Sequence, residues 1–184
     1  MNGKTVSYQE VIEARRELQR LSLEHWLQDD LHKWTWWLNV VLTIVPWIIW
    51  WKLVDRKRVF EILAYGLLVT MTSTLIDVSG TQAVLWGYPD VMIPFIPRLF
   101  PVDYVLIPVI YMLVYQYFSG WKSFIIASII MAAGFAFIAE SAMECLGLYQ
   151  QYTWQHIYSF PIYFALAVFW KWVVSKIMVY QRDM

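Results

Sequence analysis

The sequence predicts an all-α integral membrane protein: a five-helix transmembrane bundle preceded by an N-terminal amphipathic helix. Hydrophobic residues make up 60% of the 184-residue chain, and its 12 tryptophans help to bring the aromatic share to 18%. These values lie well outside the usage of soluble domains. Five apolar stretches each approach the ~20 residues that a helix needs to span a ~30 Å hydrocarbon core. The bilayer is therefore the first predicted partner of this chain.

The N-terminal segment predicts a helix of its own. From about Ser7 to Leu31 it lacks proline and glycine, and its apolar residues recur at roughly helical spacing. We predict an amphipathic helix that lies along the bilayer surface or extends the first span; the alternative is a helix that docks a protein partner through residues 7–31. No secretory signal peptide is expected, because the first long apolar stretch begins near Trp34. Residues 1–33 thus form an N-terminal segment and residues 34–184 one transmembrane domain.

The apolar stretches place the five spans near residues 34–52, 59–79, 103–119, 123–143 and 157–178. Lysine and arginine are enriched in cytoplasmic loops, and here they crowd alternate ends of the spans. These residues are Lys52, Arg56, Lys57, Arg58, Lys122, Lys171, Lys176 and Arg182. Because five spans put the termini on opposite sides, the pattern predicts an N-terminus outside and a C-terminus in the cytoplasm.

The second connection, from Gly87 to Asp103, has four prolines in 17 residues together with several large apolar side chains. Proline at this density excludes a regular spanning helix. Its apolar character predicts either a re-entrant or interface-lying lid over the outer mouth of the bundle or a simple interfacial loop. Arg98 is the only basic residue of this connection.

The charge and the cysteine content argue against a nucleic-acid partner and against a site built from cysteines. The formal net charge is zero, so the chain lacks the excess of basic residues that would suggest a nucleic-acid partner. The single cysteine, Cys145, cannot form an internal disulfide or a cysteine metal cage. No segment has an established metal-loop spacing, so the sequence predicts no metal site and identifies no cofactor.

Carboxylates fall toward the predicted outer end of the bundle. Asp77 ends a stripe of small and polar residues on the second span, and Glu140 and Glu144 end a similar stripe on the fourth. The preceding members of the two stripes are Gly66, Thr70, Ser73, Ser128, Ala132 and Ala136. Insertion scales put the cost of an aspartate at the centre of a membrane helix at roughly 2.5–3.5 kcal/mol, so an acid there is usually paired, protonated or beside a wet cavity. We expect the two helices to face each other, with a proton or a cation between Asp77 and Glu140.

The predicted ligand-binding residues are Asp77, Glu140, Glu144, Asp103, Ser73 and His156. Asp103 follows Pro101 at the start of the third span, where a helix N-cap is the alternative role. His156 lies at a span boundary, where an interfacial hydrogen-bonding role is the alternative. Tyrosines of the third and fifth spans would supply aromatic walls, and carboxylates with aromatic faces suit an organic cation or amine. These tyrosines are Tyr104, Tyr111, Tyr115, Tyr158 and Tyr163.

Five segments carry a resemblance to a known family: LIDVSG, IPFIPRLFPVDY, IYMLVYQYFSGWKS, IAES and WQHIYSFPIYF. In their order, from about Asp55 to Trp172, the chain resembles a poorly characterised family of small multi-pass membrane proteins from spore-forming Gram-positive bacteria. The resemblance implies a bacterial plasma-membrane protein of about five helices and implies no reaction. The long charged N-terminal helix departs from the short apolar start of that family.

Three classes of function follow. An outward-facing acidic, aromatic-lined cavity predicts binding or transport of protons, cations or a small amine. A structural or accessory subunit of a membrane complex is the second class, and the N-terminal helix favours it. The third class is an intramembrane acid-base enzyme acting on a lipid or isoprenoid; the absence of HExxH, GxSxG or a nucleophile with an evident base argues against it, and no catalytic residue is assigned.

Overall fold

A computed structural model of the chain describes residues 5–96 and 100–182, which leaves Arg98 outside the described residues. The helices are α1 (Tyr8–Gln28), α2 (Trp34–Leu53), α3 (Val59–Gln82), α4 (Ile107–Tyr117), α5 (Trp121–Ala133), α6 (Glu140–Cys145) and α7 (His156–Arg182). A π-helical turn, Val102–Leu106, leads into α4, and a second, Gly134–Ala139, joins α5 to α6. The all-α prediction is confirmed.

Within the described residues, four helical segments are long and apolar enough to cross a membrane: Trp34–Leu53, Val59–Gln82, Trp121–Cys145 and His156–Tyr180. Their ends agree with the sequence prediction to within a few residues. The remaining predicted span, the third of the five, is a shorter apolar helix, Val102–Tyr117, which at 1.5 Å per residue is about 24 Å long. The count of five spans is therefore not confirmed, and the predicted sidedness of the termini, which depends on it, stays a prediction.

The short helix α4 is largely enclosed by the other helices. It packs against α2, α3 and α5, and Tyr111 and Met112 on it are almost completely buried. Gly66 on α3 lets the two helices approach closely, because a Cβ there would lie 2.5 Å from the Met112 sulfur. α7 packs against both α3 and α5. The core is thus built around α4, with much of the apolar surface of the longer helices left exposed, as expected for side chains that face lipid.

The N-terminal helix predicted over residues 7–31 is present as α1. Ser7 caps it: its hydroxyl accepts from the Glu10 backbone N–H, and the Glu10 carboxylate accepts from the Ser7 backbone N–H. None of the α1 residues is buried. The chain then makes a 3₁₀ turn, Asp30–His32, in which Asp30 is buried.

Two short strands join the loops at the end of the bundle that carries the acids. β1 (Trp86–Gly87) pairs antiparallel with β2 (Gln150–Gln151), with Trp86 opposite Gln151. The loop that follows β1 contacts the N-terminal region: the indole N–H groups of Trp26 and Trp36 both donate to the Met92 carbonyl, at 3.0 and 3.1 Å. Residues 88–96 of the predicted lid therefore form a packed loop, with no helix in this described part.

Lys171 connects helices at the end of the bundle away from the acids. From α7, its ammonium donates to the carbonyls of Phe118 and Ser119 at 2.8 and 2.9 Å and lies 3.9 Å from the centre of the Phe124 ring. These contacts join α7 to the connection between α4 and α5. One cation thus satisfies two carbonyls of the connection that follows α4.

Replacing Lys171 by methionine should lower the free energy of unfolding by about 1–2 kcal/mol, because a chain of similar length keeps the packing but removes both hydrogen bonds. Thermal unfolding in detergent, followed by near-UV circular dichroism, measures the change. The matched control is Lys176→Met at an exposed position of the same helix, where we expect a change below about 0.5 kcal/mol. Equal unfolding midpoints for the two variants would show that the Lys171 contacts add no stability.

Candidate functional site

A cavity of about 370 Å³ lies near one end of the bundle, among α2, α3, α6, α7 and the two π-helical turns. Small-molecule sites commonly measure about 300–1,000 Å³. Three carboxyl-bearing residues, Asp77, Asp103 and Glu140, line it within a largely apolar wall. Among the described residues, no lysine, arginine or histidine contributes to the lining. The cavity is thus a small apolar space with anionic groups and no basic side chain in its wall.

Asp77 is fixed by two donors from the β1 region. Its Oδ1 atom accepts from the Trp86 indole N–H at 2.9 Å and from the Tyr88 hydroxyl at 2.5 Å. All three side chains are buried. Burial raises the pKa of Tyr88 well above its ordinary value, and the charge of Asp77 adds to the effect, so the phenol keeps its proton and remains a donor. Both donors use one oxygen, which leaves the second oxygen of Asp77 for another partner.

Asp103 lies beside Asp77. Its carboxyl, also buried, lies within hydrogen-bonding reach of the Asp77 carboxyl. No described residue donates to its Oδ2 atom. Two carboxylates in contact cannot both be ionised at low cost, so a proton or a cation must accompany them. This pair is the clearest chemical feature of the cavity.

Glu140 begins α6, directly after a π-helical turn. The Tyr163 hydroxyl donates to its Oε1 atom at 2.9 Å, and the Ser159 hydroxyl donates to its Oε2 atom at 3.1 Å. His156 Nδ1 lies 2.8 Å from the same Oε2 atom. The Glu140 side chain is only 13% exposed. Three residues of α7, His156, Ser159 and Tyr163, thus hold this carboxylate in the cavity wall.

The structure brings four of the six predicted site residues to the cavity: Asp77, Asp103, Glu140 and Ser73. His156 lies outside the lining, where its two ring nitrogens face Glu140 and Glu144 at 2.8 and 3.3 Å. Glu144 is 44% exposed and does not line the cavity. The predicted set therefore divides into four residues at the cavity wall and two behind it.

The carboxyl group beside Asp77 belongs to Asp103, while Asp77 and Glu140 line the same cavity. The two helices that the sequence predicts to face each other, α3 and α5, each pack against α7, and the proton or cation expected between Asp77 and Glu140 stays a prediction. The N-cap alternative for Asp103 is wrong, because the backbone is already helical at Pro101, two residues earlier. Its carboxyl is directed into the bundle instead.

The comparisons with known proteins leave the site to be interpreted from its own geometry. No protein-family model, curated protein or solved structure matches this chain.

Most aromatic residues of the cavity wall were missed in the sequence. Of the predicted tyrosines only Tyr163 lines it, joined by Trp86, Tyr88, Tyr149 and Trp154. Tyr111 and Tyr115 instead direct their hydroxyls to the Tyr163 carbonyl and to Glu61. The sequence contains a signal for two of them. Residues two apart in an extended segment point to the same side, and Trp86 and Tyr88 have this spacing just after the end of α3.

Proposed function

We propose that this protein is an integral membrane protein that binds a small organic cation, an amine with an apolar body, in the cavity lined by Asp77, Asp103 and Glu140. The observation that carries the proposal is the lining itself: three carboxyl groups and no basic side chain among the described residues. A positive group is the natural counter-charge for such a wall, and a cation here would replace the proton of the Asp77–Asp103 pair.

The aromatic side chains support an organic cation over a bare metal ion. Ring faces attract positive charge, and the attraction increases when the cation loses its water. Trp86, Tyr88, Tyr149, Trp154 and Tyr163 all contribute to the wall. Their apolar bodies, with Leu38 and Leu42 of α2, would contact the body of an amine while a carboxylate meets its ammonium group. A bound amine is also compatible with transport, in which the site would exchange it for a proton.

We further propose the predicted setting: the bacterial plasma membrane, with the cavity facing outward, the N-terminus outside and the C-terminus in the cytoplasm. The acids lie at the end of α3 and the start of α6, which is the end away from the basic connection of Arg56, Lys57 and Arg58. The positive-inside rule places that basic connection in the cytoplasm. The proposed membership of a family from spore-forming Gram-positive bacteria fits this setting.

The test is a binding titration of the purified protein with 2-phenylethylamine, followed by tryptophan fluorescence because Trp86 and Trp154 border the cavity. We expect saturable binding that Asp77→Asn and Glu140→Gln each weaken by about tenfold or more, equivalent to at least ~1.4 kcal/mol. Asp55→Asn is the matched control, since Asp55 is exposed at the other end of the bundle. The uncharged analogue 2-phenylethanol tests the requirement for a positive charge.

Equal binding of the amine and the alcohol would contradict a cation site. The absence of saturable binding, or binding that is the same in all variants, would also contradict it and would favour the accessory-subunit alternative that uses residues 7–31. Turnover of a lipid or isoprenoid by the purified protein would favour the enzyme alternative.

A further inference from the structure

A second polar cluster lies outside the cavity, where the end of α1 meets the loop after β1. It contains His25, Asp29, Asp30 and Asp90, and each of these residues offers a potential ligand atom within 4.8 Å of the others. His25 Nε2 lies 3.2 Å from Asp30 Oδ1 and 3.7 Å from Asp29 Oδ2. Sequence patterns do not indicate this cluster, because the helices α2 and α3 separate Asp90 from the other three residues.

Asp30 gives the cluster a buried oxygen without a donor. Its side chain is 1% exposed, and its Oδ2 atom accepts from the Val91 backbone N–H at 3.0 Å. No described residue forms a hydrogen bond to its Oδ1 atom, which faces His25. A buried carboxylate oxygen opposite an imidazole nitrogen needs a positive centre to stabilise it.

The net charge of the cluster matches that of a divalent cation. The Lys33 ammonium lies 2.5 Å from Asp29 Oδ2 and 2.8 Å from Asp90 Oδ1, and the Thr35 hydroxyl donates to Asp90 Oδ2. Three carboxylates with one ammonium keep two negative charges, which one divalent ion balances. Lys33 contacts Asp29 and Asp90, while Asp30 Oδ1 faces the His25 imidazole.

The ligand types and their spacing favour zinc. Zinc accepts imidazole nitrogen and carboxylate oxygen in a tetrahedron, and bonds of about 2.0–2.1 Å place neighbouring ligand atoms about 3.3 Å apart. The two separations from His25 Nε2, 3.2 and 3.7 Å, are close to that edge. We propose that His25, Asp29, Asp30 and Asp90 form a site for a divalent transition metal of the Zn²⁺ class.

The site would join two separate parts of the fold. His25, Asp29 and Asp30 belong to the end of α1 and the turn after it, while Asp90 follows Tyr88, a cavity-lining residue that donates to Asp77. A bound ion would fix the loop after β1 to the N-terminal segment, beside the existing contacts of Trp26 and Trp36 with Met92. This inference is independent of the proposed amine site.

The test is isothermal titration of the chelator-stripped full chain in detergent with ZnCl₂. We expect one Zn²⁺ per chain, and we expect His25→Ala and Asp30→Asn each to weaken binding by at least about tenfold, the lower limit for loss of even an outer partner of a metal site. His25 is half exposed, so its loss leaves the core intact, and asparagine at position 30 can still accept from the Val91 N–H. His32→Ala is the matched control, an exposed histidine outside the cluster.

Three results would overturn the proposal. The first is no Zn²⁺ binding by the unmodified chain. The second is unchanged affinity in both His25→Ala and Asp30→Asn. The third is loss of binding in His156→Ala but not in His25→Ala, which would place the metal beside Glu140 and Glu144. A rise in the unfolding temperature with Zn²⁺ that disappears in His25→Ala supports the site without any functional assay.

Discussion

Replacing Asp77 by leucine is expected to lower the free energy of unfolding by about 2–4 kcal/mol, because the buried Trp86 and Tyr88 donors would each lose their acceptor at a cost of about 1–3 kcal/mol. Leucine is similar in size and apolar, so the change removes hydrogen bonding with little change in volume. Chemical or thermal unfolding in detergent, followed by near-UV circular dichroism, measures it.

Asp77→Asn is the matched control for this experiment. Both donors reach the same oxygen of Asp77, so one amide oxygen can accept both bonds while the amide N–H₂ group faces Asp103. We expect a loss below about 1 kcal/mol, in line with the small net value of one exchanged hydrogen bond. If leucine and asparagine destabilised the protein equally, the hydrogen bonds to Asp77 would not be the source of its contribution to stability.

Gly80→Ala should destabilise the protein by about 2–3 kcal/mol, toward the upper end of the usual cost of overpacking. A Cβ at this position would lie 2.0 Å from two carbon atoms of the Trp86 ring. The ring cannot move away easily, because Asp77 accepts its N–H and Trp154 packs against it with ring centres 5.0 Å apart. Displacement of the indole should also change the tryptophan emission spectrum, which provides a second measurement.

Gly134→Ala provides the comparison for Gly80→Ala. No atom lies within 4 Å of a Cβ built at Gly134, so alanine there meets no obstacle. Its better helix propensity should leave stability unchanged or raise it by up to about 1 kcal/mol. A loss at Gly134 as large as that at Gly80 would mean that helix backbone effects, and not the Trp86 ring, determine the result.

The positions of the helices could be predicted because they depend on local properties. Apolar length fixes a membrane-spanning segment nearly by itself, and the Ser7–Glu10 capping box marks the start of α1 in the sequence. The buried faces of two helices could be predicted as well: Ser73 and Asp77 on α3, and Ser128 on α5, are buried as their spacing indicates. Helical periodicity identifies which side chains share a face, but it does not identify the helix that the face contacts.

The pairing of the acids depends on non-local geometry, which is why it was missed. Asp103 reaches Asp77 because a loop with several prolines returns the chain to the end of α3 and a π-helical turn then sets its direction. A strict step of four residues predicts one face for Glu140 and Glu144, yet only Glu140 lines the cavity. The step counted from Ser128 passes through the π-helical turn Gly134–Ala139, which contains Ala136 and ends directly before Glu140.

The two π-helical turns also affect how this chain should be compared with others. Each π-type bond encloses one more residue than an α-helical bond, and one residue corresponds to about 100° of rotation around a helix axis. A related helix without the turn at Val102–Leu106 or Gly134–Ala139 would therefore match this chain only with a one-residue gap at the position of that turn. An alignment that forbids gaps within helices would shift Asp103 or Glu140 by one position and pair it with a residue about 100° away around the helix.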